Sequence, residues 1–180
     1  MTSEKTLVVL GGPVAGGKSS VARGVVRRIR GSGHRAATID LDLLYLMQDE
    51  TFARDDAWRT ARHGAAALTD LFFSSGCDVV VVEGGFYTAG ERDDVARALA
   101  SNPRVIAVTL MVSYEDALRR AQSDPSPDRV ASKNPATLRW LHAQFTDALP
   151  FLEANTRVLD AGDASIDELA TQIVTLIGPG

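Results

Sequence analysis

Apolar positions along the chain alternate between two rhythms. Short runs rich in β-branched residues, over 6–10, 35–39, 78–82, 104–112 and 157–159, read as five strands. Between them apolar residues recur every three or four positions, the spacing of one buried helical face. Val21, Val25 and Ile29 mark a helix over 20–30. Trp58, Ala61, Ala65, Leu68 and Phe72 mark one over 56–75, and Leu138, Leu141, Phe145 and Leu149 one over 135–149. Shorter helical patterns cover 43–47, 92–100 and 114–122, and Leu169, Ile173 and Leu176 set a last helix over 166–177. Gly31-Ser32-Gly33 stops the first helix, and Pro135 suits a first helical turn capped by Ser132 or Asn134.

Residues 79–82 are continuously apolar, as expected of a strand covered on both faces, and strands that alternate with helices predict a parallel sheet. This is a doubly wound α/β plan. Right-handed crossovers bring the C-terminal ends of such strands to one edge, where ligands bind. The residues after each strand are therefore expected to converge: Gly11, then Asp40 and Asp42, then Glu83-Gly84-Gly85, then Ser113, then Asp160.

The bulk properties narrow the setting. A chain of 180 residues, with 45% hydrophobic and 23% charged residues, has globular proportions and the size of one domain spanning 1–180. Its net charge of −4 argues against a partner as large and anionic as a long nucleic acid. Cys77 is the single cysteine, so an internal disulfide is excluded. Residues 1–6 run into the first strand without an apolar leader, and no apolar run approaches a membrane span, so a cytoplasmic protein is expected.

The first βα connection carries the chemistry. Gly12, Gly17, Lys18 and Ser19 fit G-x-x-x-x-G-K-[ST], with Pro13, Val14, Ala15 and Gly16 between and Ser20 after. Glycines let the backbone curl so that amides face an anion at the positive end of a helix. Lys18 is placed to reach β- and γ-phosphates and the Ser19 hydroxyl to hold Mg²⁺. Phosphoryl transfer also needs an oriented acceptor oxygen and often a carboxylate for its proton. Asp40 and Asp42 are candidates, although an aspartate before Leu43 also suits a helix cap. Glu83, at a strand end, is read as metal-linked or arginine-paired. Arg54, Arg59, Arg62 and His63 lie on the polar side of their helix, by default a solvated face. The polar, proline-rich stretch within 121–135 is a candidate lid, with arginines able to close over the transferring group.

Taken together, the glycine-rich loop, the D-x-D of Asp40 and Asp42, the apolar strand ending in Glu83-Gly84-Gly85 and the arginine-bearing segment before a polar lid resemble the P-loop small-molecule kinases, such as shikimate kinase, gluconate kinase and chloramphenicol phosphotransferase. The resemblance implies a three-layer, adenylate-kinase-like fold with strand order 2-3-1-4-5, ATP and Mg²⁺ as cosubstrates, and a small-molecule hydroxyl as acceptor, in a monomer or homodimer. It implies that either Asp40 or Asp42 is the base, with Asp40, Ser19 and Glu83 on the metal side. It places Arg120 on the adenine, Asp160 and Gly162 in the loop lining the base, and Arg129 as the lid arginine. Arg59, Arg62, Gly84, Gly85, Phe86 and Arg139 fall on the acceptor side. Three positions depart from shikimate kinase: Arg62 replaces an acid, Phe86 a glycine and Asp124 a second arginine. A nucleoside, nucleotide or polynucleotide-end kinase shares these parts. A nucleotide-dependent switch is the reading from another class, although the N-K-x-D of GTPases is missing from the sequence.

Overall fold

One parallel sheet with the order β2-β3-β1-β4-β5 forms the centre of the protein, and the computed structural model describes residues 4–49, 51–125 and 130–178. In chain order the elements are β1 (Thr6–Gly11), α1 (Lys18–Gly31), β2 (Ala36–Asp40), α2 (Leu41–Leu46), α3 (Arg54–Ser74), β3 (Val79–Glu83), α4 (Ala89–Ala98), β4 (Arg104–Met111), α5 (Tyr114–Ser123), α6 (Val130–Lys133), α7 (Pro135–Asn155), β5 (Arg157–Asp160) and α8 (Ile166–Ile177). The doubly wound plan is the one expected from the sequence pattern, and the strand order the one implied by the resemblance.

Side-chain alternation along β1 divides the core into two layers. Val8 and Leu10 face α1 and α8, packing with Val21, Val25, Ile29, Leu169 and Ile173. Leu7 and Val9 face the other way, into a layer with Val80, Val82, Ala65, Ala66, Phe73 and Val95 from β3, α3 and α4. Gly24, costly inside a helix on propensity alone, is explained by α8: a Cβ there would lie 3.1 Å from the Ala170 Cβ.

The register fixes what stands at the working edge. Glu83 is the partner of Leu10 on one side and of Asp40 on the other, while Gly11 pairs with Thr109 and Met111 with Asp160. Strand β3 thus runs one residue past the expected end, and Glu83 is buried within the sheet at 4% exposure.

Helix boundaries differ from the sequence pattern where caps or packing overrule it. Asp40 accepts from the amides of Asp42 and Leu43, so α2 starts at Leu41, two residues early. A reciprocal capping box between Thr88 and Glu91 starts α4 at Ala89, not 92. Asn134, not Ser132, caps α7 with Pro135 in its first turn. Helix α7 then continues through Pro150 to Asn155 instead of stopping at 149. Burial of Leu138, Phe145 and Leu152, seven residues apart on one face, outweighs the single backbone hydrogen bond that Pro150 forgoes.

Candidate active site

The glycine-rich loop joins the central strand to a helix whose positive end is kept open. α1 has no capping side chain and no acid in its first turn. Among the described helices with an assigned cap it is alone in lacking both: α2, α4, α5, α7 and α8 are capped by Asp40, Thr88, Ser113, Asn134 and Ser165, and α3 carries Asp55 and Asp56 in its first turn. The Ser20 and Val21 amides donate to the Gly17 carbonyl, and no capping side chain or first-turn acid neutralises the positive end of the helix dipole, an arrangement suited to an anion.

The loop geometry demands its glycines. Gly12 has φ of 144°, and a Cβ there would stand 2.7 Å from the Leu110 carbonyl oxygen. Gly17, the N-cap, has φ of 91°. A Cβ on Gly16 would meet the Pro13 carbonyl oxygen at 2.9 Å, the same oxygen that accepts the Gly16 amide. Ala15 also has positive φ, at 59°. The Lys18 ammonium lies across the curl, donating to the carbonyls of Gly12 (3.1 Å) and Pro13 (3.0 Å).

Three acids gather beside it. Burial pushes the Glu83 carboxyl up from its ordinary 4.5 to about 7, helped by the charge of Asp40 and then Asp42; a hydrogen bond with Ser19 and the charge of Lys18 oppose the rise. Asp40 is tied through Oδ1 to the start of α2, 2.9 Å from the Asp42 amide. Asp42 is exposed at the rim, close enough to act on both Glu83 and the Tyr87 hydroxyl. Among the described residues no group of three or more His, Cys, Asp or Glu is arranged to hold a metal ion alone. Mg²⁺ sites usually combine one or two carboxylates with substrate phosphates, and Ser19 beside the buried Glu83 fits that donor set.

Beyond the loop opens a cleft of about 670 Å³, floored by Ala15 to Gly17 and Ser20 and walled by Arg120, Asp124, Ser132, Ala161 and Ala164. Arg120 bridges its two sides, donating to the carbonyls of Gly16 (3.4 Å), Gly162 (2.9 Å) and Ala161. Asp160 accepts the Gly162 amide at 2.9 Å and so shapes the opposing loop. The volume is within the range of small-molecule sites.

On the α2 side the expected residues are less uniform. Gly84 is a packing position, since a Cβ would collide with Leu41 at 2.8 Å. Phe86 is 4% exposed and belongs to the core, so it does not face an acceptor. Tyr87, the next residue, turns toward the glycine-rich loop instead: its ring lies over Gly85 and its hydroxyl donates to the Gly12 carbonyl at 3.4 Å. Burial, Asp42 and Glu91 all push the Tyr87 hydroxyl pKa up, so it stays a donor. Successive side chains of an extended segment point to opposite faces, and that alternation was the signal in Phe86-Tyr87. Arg62 is drawn into α3–α4 packing, 2.9 Å from Asp94 with only 11% of its side chain exposed. Arg59 pairs with Asp56 of its own helix, and Arg139 lies over the Tyr114 ring. Val14 is half-buried in the loop, and its apolar side chain has no group to hydrogen-bond. Arg129 and part of the expected lid lie outside the described residues; on either side, α5 ends at Ser123 and α6 begins at Val130.

No known protein family matches the sequence, and no curated protein does. Solved structures do. The APS kinase CysC of Mycobacterium tuberculosis, in complex with AMPPNP and APS, superposes with a TM-score of 0.68 at 20% identity, over 98% of this chain and 99% of that one. A gluconokinase from Sinorhizobium meliloti 1021 gives 0.64 at 18% identity over 97% and 92%. Shikimate kinase from Acinetobacter baumannii, in complex with shikimate, gives 0.63 at 18% over 98% and 94%. These likenesses span the whole architecture, and the chain therefore has the α/β fold that these P-loop kinases share.

Proposed function

We propose that the protein is an ATP-dependent phosphotransferase that moves the γ-phosphate of ATP to a hydroxyl of a small molecule. The observation that carries this reading is the juxtaposition of an anion-ready helix start, Lys18 and Ser19 with the carboxylates of Asp40, Asp42 and Glu83 on one sheet edge. Neighbours in fold that are kinases, one bound to AMPPNP and APS and another to shikimate, support it.

In this reading the nucleoside occupies the cleft beside Arg120 and the loop around Asp160 and Gly162, and its phosphates enter the curl from Gly12 to Ser20. Lys18 exchanges the Gly12 and Pro13 carbonyls for phosphate oxygens. Ser19, Glu83 and Asp40 would hold the cation. Mg²⁺, when bound, neutralises charge on the transferring phosphate. Asp42 receives the acceptor proton: Asp40 is occupied at the α2 cap, whereas Asp42 stands at the rim where an alcohol arrives. The acceptor oxygen forms the new bond to γ-phosphorus, the bridging bond to ADP breaks, and the proton passes to Asp42. Tyr87 shields the loop from the acceptor side. Arg129 is kept as the lid arginine.

The test is calorimetric titration with AMPPNP and Mg²⁺, paired with ATP turnover over a panel of alcohols. Wild-type protein binds the nucleotide and transfers phosphate; Lys18→Ala keeps its secondary structure and loses transfer. Absence of adenine-nucleotide binding by wild type, or near-normal turnover by Lys18→Ala, overturns the assignment.

A further inference from the structure

The first turn of α2 carries more than Asp42. On a helix, residues three and four apart share a face, so Leu43, Leu46 and Met47 form one strip along the same side as Asp42. All three are exposed, at 59%, 73% and 81%, whereas the opposite side of α2 packs on α3 through Leu44 and Tyr45, the latter stacked on Trp58 at 4.2 Å. Single exposed apolar residues are ordinary, but three adjacent ones beginning at a carboxylate of the transfer site mark a surface that receives something. The connection to α3 continues the character with Phe52, 53% exposed.

Charge on this side points the same way. Every arginine of α3 and α7 already lies against a partner on the chain: Arg54 over the Trp140 ring at 5.4 Å, Arg59 on Asp56 at 2.5 Å, Arg62 on Asp94 at 2.9 Å and Arg139 over Tyr114 at 4.4 Å. An anionic acceptor would have to draw Arg59 from Asp56 or Arg62 from Asp94 to use either, and the strip of Leu43, Leu46 and Met47 itself offers it no cation. A neutral, apolar one displaces only water from the strip.

We propose that the acceptor is a neutral, amphipathic alcohol whose hydroxyl reaches Asp42 and whose hydrocarbon body lies along Leu43, Leu46 and Met47, rather than a sugar acid or another anion. This rests on the phosphotransferase reading and narrows its acceptor class.

The experiment measures binding of 1-butanol, 1-hexanol, 1-octanol and gluconate to the full chain preloaded with AMPPNP and Mg²⁺, for wild type and the triple variant Leu43→Ser/Leu46→Ser/Met47→Ser. A methylene buried completely is worth about fourfold in affinity, and one laid on an open strip about half that burial. The expected result is therefore about a twofold gain per methylene, or roughly 16-fold between butanol and octanol, little or no gluconate binding, and loss of the chain-length dependence in the variant. The substituted positions are exposed, so the variant retains its fold, which its circular dichroism checks. AMPPNP binding with no chain-length dependence, with dependence that survives the triple serine variant, or with gluconate bound better than octanol overturns this inference alone. Chain-length dependence without AMPPNP binding removes the phosphotransferase reading and, with it, the alcohol's role as acceptor. A dimer seen by sedimentation and abolished by the triple variant assigns the strip to a second copy of the chain and likewise overturns the inference.

Discussion

Replacing Glu83 by Gln should make the ligand-free protein more stable, and only at neutral to alkaline pH. Glu83 is 4% exposed, and its carboxyl is pushed by burial and by Asp40 from 4.5 to about 7. The folded protein therefore keeps a proton that the unfolded chain releases. Stability from this group is full below about 4.5, declines as pH rises, and is lost once pH passes about 7. At about 1.4 kcal/mol per pH unit, the gap amounts to about 3 kcal/mol of destabilisation above pH 8. Glu83→Gln retains an oxygen for the hydrogen bond with Ser19 and removes the buried charge. In a domain of this size, 1 kcal/mol moves Tm by about 2–4 °C. Thermal unfolding in low-salt buffer should show Glu83→Gln melting about 6–12 °C above wild type at pH 8.5 and within about 2 °C at pH 4.5. Saturating Mg²⁺ and AMPPNP should shrink the gap at pH 8.5, because the ionised carboxylate then has a cation beside it. A difference in Tm that is constant across pH, or a variant less stable at pH 8.5, would refute the argument that burial governs this carboxyl.

Other positions give sharper local tests. Asp42→Asn should lower kcat by about 10²-fold or more with the KM for ATP nearly unchanged. Asp40→Asn keeps a good N-cap, so its expected signature is a raised Mg²⁺ requirement; equal rate loss at both positions would leave Asp42 without its distinct role. Arg62→Ala should cost about 1–2 kcal/mol by stranding the partly buried Asp94, with acceptor KM within about twofold of wild type; a tenfold KM change in a stable variant would return Arg62 to the acceptor site. Gly12→Ala should cost about 1–3 kcal/mol through its φ of 144° and the Leu110 carbonyl, and scanning calorimetry showing an unchanged Tm would contradict the loop geometry.

The fold was legible because its signals are redundant. Continuous apolar strands, helices with an apolar stripe and glycine or proline at the breaks all specify the same βα alternation, so an error in one leaves the rest standing. Strand order came from resemblance to known kinases and not from periodicity, since nothing in the spacing of Val79–Glu83 says that β3 lies between β2 and β1. Boundaries were legible only to within a turn. Thr88 and Glu91 write a capping box in the sequence, and reading it would have placed the start of α4. Pro150, by contrast, misleads any local reading, because what carries α7 past it is Leu152 finding the core.

The site divides along a similar line. The curl of the loop from Gly12 to Ser20 could be read because backbone conformation is what glycine positions encode. Side chains that converge from separate elements leave no such trace. Arg62 and Asp94 are 32 residues apart, and neither position distinguishes a mutual ion pair from a substrate contact. The sequence marks 43–47 only as a short helical pattern and does not say which face is buried; the structure turns Leu43, Leu46 and Met47 outward, because Leu41, under Gly84, and Leu44 and Tyr45, toward α3, take the inner side. A six-residue helix offers too few turns for its apolar moment to say which face is buried. The strip proposed to meet the acceptor is for that reason the part least encoded by local pattern, and the glycine-rich loop the part most encoded.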